Sequence, residues 1–101
     1  MMRTKYLIRE KNCADVICGV RWDSVAHEIL LGGPKKQSEA LDRVVGLFEI
    51  IGVKEKTEET VDGYRIRIKT MIGKRHWDAF QAKLEKFYDL ERVTSFRRLM
   101  G

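Results

Sequence analysis

The sequence is poor in the residues that build covalent staples and metal sites. Its 101 residues include two cysteines, two histidines and one proline. Two cysteines are too few for a disulfide framework, and the C-x4-C spacing of Cys13 and Cys18 matches no common zinc motif. We expect both thiols to be reduced, with Cys18 acting as a small buried hydrophobe. A P-loop, a dinucleotide fingerprint and an H-E-x-x-H motif are also missing, so no cofactor and no metal are expected.

Long apolar runs are missing as well. No stretch approaches the length of a membrane span, and the N-terminal MMRTKYLIRE lacks the apolar region of a signal peptide. We therefore expect a cytoplasmic protein with no membrane contact. Apolar residues make up 44% and charged residues 35% of the chain, which is typical of a folded domain. Residues 1–101 are expected to form a single domain.

Catalytic side chains are scarce too. The histidine–carboxylate neighbourhoods are His27-Glu28 and His76-Trp77-Asp78. Adjacent residues of a strand point to opposite faces, so His27 and Glu28 could not share a site there, and His76 is expected on the surface near a helix N-terminus. These patterns favour a protein without catalytic activity. A small basic ribonuclease remains the enzymatic alternative.

What the chain has is positive charge, concentrated in its second half. Lys and Arg number 20 against 15 Asp and Glu, a net charge of +5. Residues 65–75 hold five cations and no acid. A basic protein is attracted to polyanions such as nucleic acid, or to an acidic protein.

The sequence DGYRIRIKTMIGK, residues 62–74, has the clearest pattern. Apolar and basic residues alternate strictly, which is typical of a half-buried strand and predicts the central strand of the sheet. The apolar side holds Tyr64, Ile66 and Ile68, with Thr70; the basic side holds Arg65, Arg67 and Lys69.

Five further strands are predicted around it. Residues 4–9 and 16–22 read as an N-terminal β-hairpin. Residues 25–31 favour a strand over a short helix that would begin at Ser24 and end at Gly32. Residues 53–61 are polar on both sides and indicate an edge strand, and a turn at Asp62-Gly63 would pair Glu58 with Arg67. Residues 90–100 close the chain as a second edge strand.

Two helices are predicted between these strands. The first begins at Pro34, runs to about Ile51 and stops at Gly52, with Gly46 either permitting close helix–sheet contact or standing as a tolerated weak spot. The second runs from Lys74 to about Asp89. Its aromatic and apolar stripe is expected to be core and consists of Trp77, Phe80, Leu84, Phe87 and Tyr88.

From residue 25 the order is strand, helix, strand, strand, helix, strand. The segments SEALDRVVGLFEIIGV, YRIRIKTMI and LERVTSFR resemble, in their spacing, the ferredoxin-like superfold and more narrowly an ACT-like regulatory domain. The resemblance covers residues 25–98. It implies an α+β fold with a βαββαβ unit, an antiparallel sheet, both helices on one face and pairing into a homodimer. ACT-like domains often bind an amino acid at an Asp-x-x-Gly turn; the corresponding turn here reads GGPKKQ, without that Asp.

A basic constellation is the main candidate site. Its members are Arg65, Arg67, Lys69, Lys74, Arg75, Arg97 and Arg98. Phosphate contacts from such residues supply most non-specific affinity for nucleic acid, although the basic face lacks the aromatics that stack bases in RNA-binding sheets. The leading hypothesis is a binding module for nucleic acid or a nucleoprotein. The alternatives are a solvated face whose charge is balanced by Glu28 and Glu58, and a face that binds an acidic protein. Nucleic acid or a protein can bind the basic face only if residues 4–22 leave it open.

Overall fold

The protein combines two α-helices with antiparallel strands. The computed structural model describes the backbone of residues 3–50, 56–60, 63–69 and 73–96, and the side chains of residues 3–48 and 73–96. In chain order the elements are β1 (Arg3–Glu10), β2 (Val16–Asp23), β3 (Glu28–Pro34), a 3-10 turn (Lys35–Gln37), α1 (Ser38–Ile50), β4 (Lys56–Thr60), β5 (Gly63–Lys69), α2 (Lys74–Phe87) and β6 (Tyr88–Val93).

The strands of the described ranges form a six-stranded sheet in the order β4-β5-β3-β2-β1-β6, with every neighbouring pair antiparallel. The predicted α+β class is therefore confirmed. A ferredoxin-like order would place the last strand beside β3. Here β1 and β2 lie between them, and Lys5 of β1 pairs with Val93 of β6. The N-terminal hairpin thus adds two strands to the middle of the sheet, between β3 and β6.

The predicted strand at residues 25–31 begins three residues late. Residues 24–27 form a turn, and the strand covers Glu28–Pro34. Asp23 causes the shift because its Oδ1 accepts hydrogen bonds from the backbone N–H groups of Val25 and Ala26, each at 3.0 Å. Side chains that bond nearby backbone in this way favour turns over strands. Val25 is consequently 74% exposed and His27 has a φ of 52°, so neither belongs to a core-facing strand.

The polar segment is an edge strand, as predicted, because β4 pairs only with β5 in the described sheet. The predicted register is wrong by two residues: Glu58 pairs with Arg65 instead of Arg67, and Thr60 pairs with Gly63. Strand β5 is also not the central strand, since it lies second from the edge, between β4 and β3. Residues 53–55 and 70–72 of the two predicted strands lie outside the described part of the chain.

The core lies between one face of the sheet and both helices. Its buried cluster joins Trp22, Ile29 and Leu31 of the sheet to Phe48 of α1 and Phe80 of α2. The rings of Phe48 and Phe80 stack with centroids 3.6 Å apart. Burying an aromatic side chain of this size contributes about 1.5–3 kcal/mol of transfer free energy. The common cluster places α1 and α2 on the same face of the sheet.

The predicted aromatic stripe is confirmed for Trp77, Phe80 and Leu84, which are buried. It is wrong for Phe87, which is 50% exposed, because α2 ends there. Tyr88 already belongs to β6 and packs against the cluster from the sheet. The final strand is an edge strand as predicted, but it covers Tyr88–Val93, and residues 97–100 lie outside the described ranges.

Gly46 does not serve a close helix–sheet contact, because a Cβ added there would meet no atom within 4 Å. It is a weak point in the middle of α1. We expect Gly46→Ala to raise the free energy of unfolding by about 0.5–1 kcal/mol, since alanine loses less backbone entropy in a helix. Gly33→Ala is the contrasting variant: its Cβ would stand 2.5 Å from the carbonyl oxygen of Ile17, and it should destabilise the protein. Urea denaturation of both variants tests this. If both substitutions change the free energy of unfolding in the same direction, the explanation is wrong.

Candidate nucleic-acid interface

The face of the sheet opposite α1 and α2, here called the helix-free face, carries most of the charged strand residues. Successive residues of a strand alternate between faces, and Val20, Trp22, Ile29 and Leu31 point to the helices. The intervening position Arg21 therefore belongs to the helix-free face. Because directly paired residues of antiparallel strands lie on the same face, the registers place further residues beside it.

One line of paired positions crosses the sheet and contains four cations. Lys5 pairs with Arg21, Arg21 with Leu30, Leu30 with Arg67, and Arg67 with Lys56. We call these five positions the cation row. Neighbouring strands lie about 4.8 Å apart, so the row spans about 19 Å from Lys5 to Lys56. Arg67 and Lys56 are placed in it by backbone register.

The rows on either side contain acids. One side runs through Arg3, Asp23, Glu28 and Lys69. The other side runs through Leu7, Gly19, Gly32, Arg65 and Glu58. Each of these flanking rows holds as many acids as cations, whereas the cation row holds no acid. Positive charge is therefore densest along the row itself.

Arginines of this face are held by carboxylates to different degrees. Arg3 Nε contacts Asp23 Oδ2 at 3.0 Å, and Arg9 Nη1 donates to Glu91 Oε1 at 2.7 Å. Both are hydrogen-bonded ion pairs. In the row, Arg21 Nη2 stands 3.7 Å from Glu28 Oε1, beyond hydrogen-bond length. Arg21 is therefore the most loosely paired of these arginines.

Lys5, at one end of the row, meets the chain that follows β6. Its Nζ donates to the carbonyl oxygen of Thr94 at 3.4 Å and lies 5.9 Å from the centre of the Phe96 ring. Leu7, two residues along β1 on the same face, is fully buried. The helix-free face is thus covered near β1 and β6, and Arg21 retains 25% side-chain exposure further in.

The seven residues predicted for the site do not all lie on one surface of the described structure. Arg65, Arg67 and Lys69 occupy β5, where they pair with Gly32, Leu30 and Glu28. Lys74 and Arg75 are exposed at the start of α2, on the helix side of the sheet, and Lys74 Nζ pairs with Asp78 at 3.0 Å. Arg97 and Arg98 lie outside the described residues.

Lys5, Arg21 and Lys56 were missed as candidate site residues. Lys5 and Lys56 each have one basic residue two positions away and Arg21 has none, so none of them belongs to a run like that of Arg65, Arg67 and Lys69. They align only because distant strands pair in a particular register. Knowledge of the register between β1 and β2 and between β4 and β5 would have identified them.

The turn at residues 24–27, which follows Asp23, depends on the ionised carboxylate of that residue. The hydrogen bond from the Ala26 backbone N–H holds the pKa of Asp23 below its ordinary value of 3.8, and Arg3 and the Val25 N–H act in the same direction, against the effect of burial. Because the folded state has the lower pKa, Asp23 stabilises the fold above pH 3.8, and this contribution is lost as the pH falls through the folded pKa.

We expect the free energy of unfolding to fall more steeply with acid in the natural protein than in Asp23→Asn. The variant has no titrating carboxyl at this position, so the two stabilities should converge as the pH decreases below about 3.8. Urea denaturation from about pH 6 to pH 2.5 measures this. Parallel curves over that range would show that Asp23 is not the group responsible.

Other reactive groups are dispersed. Cys18 is buried in β2, where burial raises the pKa of its thiol, and Cys13 is exposed in the turn before it. His27 is exposed and packs on Gly73, while His76 is half-buried with its Nδ1 enclosed. Within the described residues, no group of three or more His, Cys, Asp or Glu side chains could hold a metal ion.

Comparison with protein-family models, with curated proteins and with solved structures returned no match. Neither helix, over the residues that are described, is long and apolar enough to cross a membrane.

Proposed function

We propose that the protein is a non-catalytic binding module that engages the phosphate backbone of nucleic acid with its helix-free face. The observation that carries this proposal is the position of the N-terminal hairpin. Strands β1 and β2 lie in the sheet, beside β3, and contribute Lys5 and Arg21 to the cation row instead of covering it.

The charge of the row supports a polyanion as the ligand. Four cations within about 19 Å match a ligand with regularly repeated negative charge better than a single small anion. Each phosphate neutralised by Lys or Arg releases condensed counterions, which supplies sequence-independent affinity. The two arginines of the row, on either side of Leu30, each add a planar fork that suits phosphate oxygens.

The composition of the face supports contact with the backbone over contact with the bases. The strand positions of the cation row and of its two flanking rows include no aromatic residue. Single-stranded nucleic acid is usually held by bases stacked on aromatic side chains of a sheet. A duplex of either DNA or RNA is therefore the ligand that this face suits best.

The fold fits the same proposal. We describe it as a ferredoxin-like unit, β3-α1-β4-β5-α2-β6, into which the hairpin β1-β2 has been inserted between β3 and β6. Both helices pack on one face of the enlarged sheet, so the insertion widens the opposite face by two strands. The wider face accommodates a row longer than four strands would allow.

Fluorescence anisotropy with a generic labelled duplex, one DNA and one RNA, tests the proposal. We expect binding of both duplexes in about 50 mM salt, with little dependence on sequence. About four phosphate contacts imply a weakening of about 100-fold between 50 and 200 mM salt. If neither duplex binds at the lower salt concentration, the proposed function is wrong.

A further inference from the structure

The ion pair between Arg21 and Glu28 differs from the other arginine–carboxylate pairs described on the helix-free face. Its N–O separation is 3.7 Å, against 3.0 Å for Arg3 with Asp23 and 2.7 Å for Arg9 with Glu91. The Nε atom of Arg21 is also buried, and it has no hydrogen-bond partner among the described residues. A buried guanidinium N–H without a partner is costly, so Arg21 gains from a better acceptor.

The position of the pair places this arginine where a ligand would lie. Arg21 stands within the cation row, flanked by Lys5 and Leu30, while Glu28 belongs to the adjacent row, where it pairs with Lys69 by register. The two side chains retain 25% and 16% exposure. They are shielded enough for their charges to interact and open enough for a phosphate to reach the guanidinium.

We propose that Arg21 exchanges Glu28 for a phosphate of the bound duplex, which makes Glu28 a built-in competitor of the ligand. This inference rests on the proposed function. The phosphate offers acceptors at hydrogen-bond length to a guanidinium that Glu28 holds only loosely.

Glu28→Gln tests the exchange because it removes the competing charge and preserves the shape of the side chain. We expect the variant to bind duplex DNA about two- to fivefold more tightly at 100 mM salt, which is the range of one exposed ion pair.

Glu85→Gln is the matched control, since it makes the same change of charge on α2, where Glu85 accepts a hydrogen bond from Gln81. We expect its affinity to change by less than about 1.5-fold, because the long-range effect of an exposed charge is screened. If Glu28→Gln and Glu85→Gln change duplex affinity equally, the exchange does not occur. The gain should also vanish in an Arg21→Gln background, and a gain that persists there would overturn the role of Arg21.

The outcomes distinguish a failure of the exchange from a failure of the proposed duplex binding. Absence of duplex binding by the natural protein at low salt contradicts the proposed function, whereas binding that ignores Glu28 contradicts the exchange alone. Thermal unfolding of each variant confirms that it is folded. Should Glu28→Gln fail to fold, Arg21→Lys replaces it: this variant keeps the charge, loses the fork, and should weaken binding by about twofold or more. Unchanged binding by Arg21→Lys would contradict the exchange.

Discussion

Phe80→Ala is expected to lower the free energy of unfolding by about 3–5 kcal/mol. Phe80 is fully buried where α2 meets α1, with its ring 3.6 Å from that of Phe48 and 6.2 Å from that of Trp77, measured between centroids. Truncation removes the transfer free energy of the ring and leaves a cavity lined by rigid aromatic neighbours that cannot collapse fully. Urea denaturation monitored by tryptophan fluorescence measures the loss.

Phe87→Ala provides a control in the same helix. Phe87 ends α2, is 50% exposed and lies under Lys86, whose Nζ is 5.4 Å from the ring centre. Its truncation should cost less than about 1 kcal/mol, as is usual for surface substitutions. Similar losses for Phe80→Ala and Phe87→Ala would contradict the placement of the core between the sheet and the two helices.

Local patterns predicted the identity of most secondary structure. Alternation along residues 4–9 and 16–22 gave β1 and β2 to within one residue at each end. Helical spacing in residues 74–87 predicted which side of α2 is buried, with Trp77, Phe80 and Leu84 facing the core. These features depend on neighbours a few residues apart, so a short window contains the information.

Side-chain bonds to the backbone displaced one boundary. Apolar spacing in residues 25–31 favoured a strand throughout, yet the carboxylate of Asp23 bonds to two backbone N–H groups and forms a turn before Glu28. Val25 and His27 therefore leave the strand. A β-branched, Leu-rich run ending in Gly-Gly favoured the strand, and the competing Asx-type turn was not recognised.

The order of the sheet and the candidate site depend on contacts between distant segments. Lys5 and Val93 pair although they stand at opposite ends of the chain, and alternation shows which face a residue occupies without showing its neighbour. The basic character of β5 was evident along its own sequence. The contribution of Lys5, Arg21 and Lys56 to the cation row follows only from the pairing of five strands.

The central claim is that the cation row binds the duplex, so neutralising the row should have the largest effect on binding. In the variant Lys5→Gln/Arg21→Gln/Lys56→Gln/Arg67→Gln, we expect duplex affinity in about 50 mM salt to fall by about 100-fold or more. The slope of log affinity against log salt should decrease by about three to four units, because each lost phosphate contact removes about 0.9.

A control with the same change in net charge separates the row from the general field of the protein. Its substitutions lie in the β1–β2 turn, the 3-10 turn and α2 and are Lys11→Gln, Lys36→Gln, Lys83→Gln and Lys86→Gln. We expect this control to weaken binding by less than about fivefold and to keep most of the salt dependence.

The salt dependence of duplex binding, measured side by side for the natural protein, the row variant and the control, is the most direct test. We expect a steep slope for the natural protein and the control and a nearly flat one for the row variant. Equal slopes for the row variant and its control would show that net charge, and not the cation row, attracts the ligand.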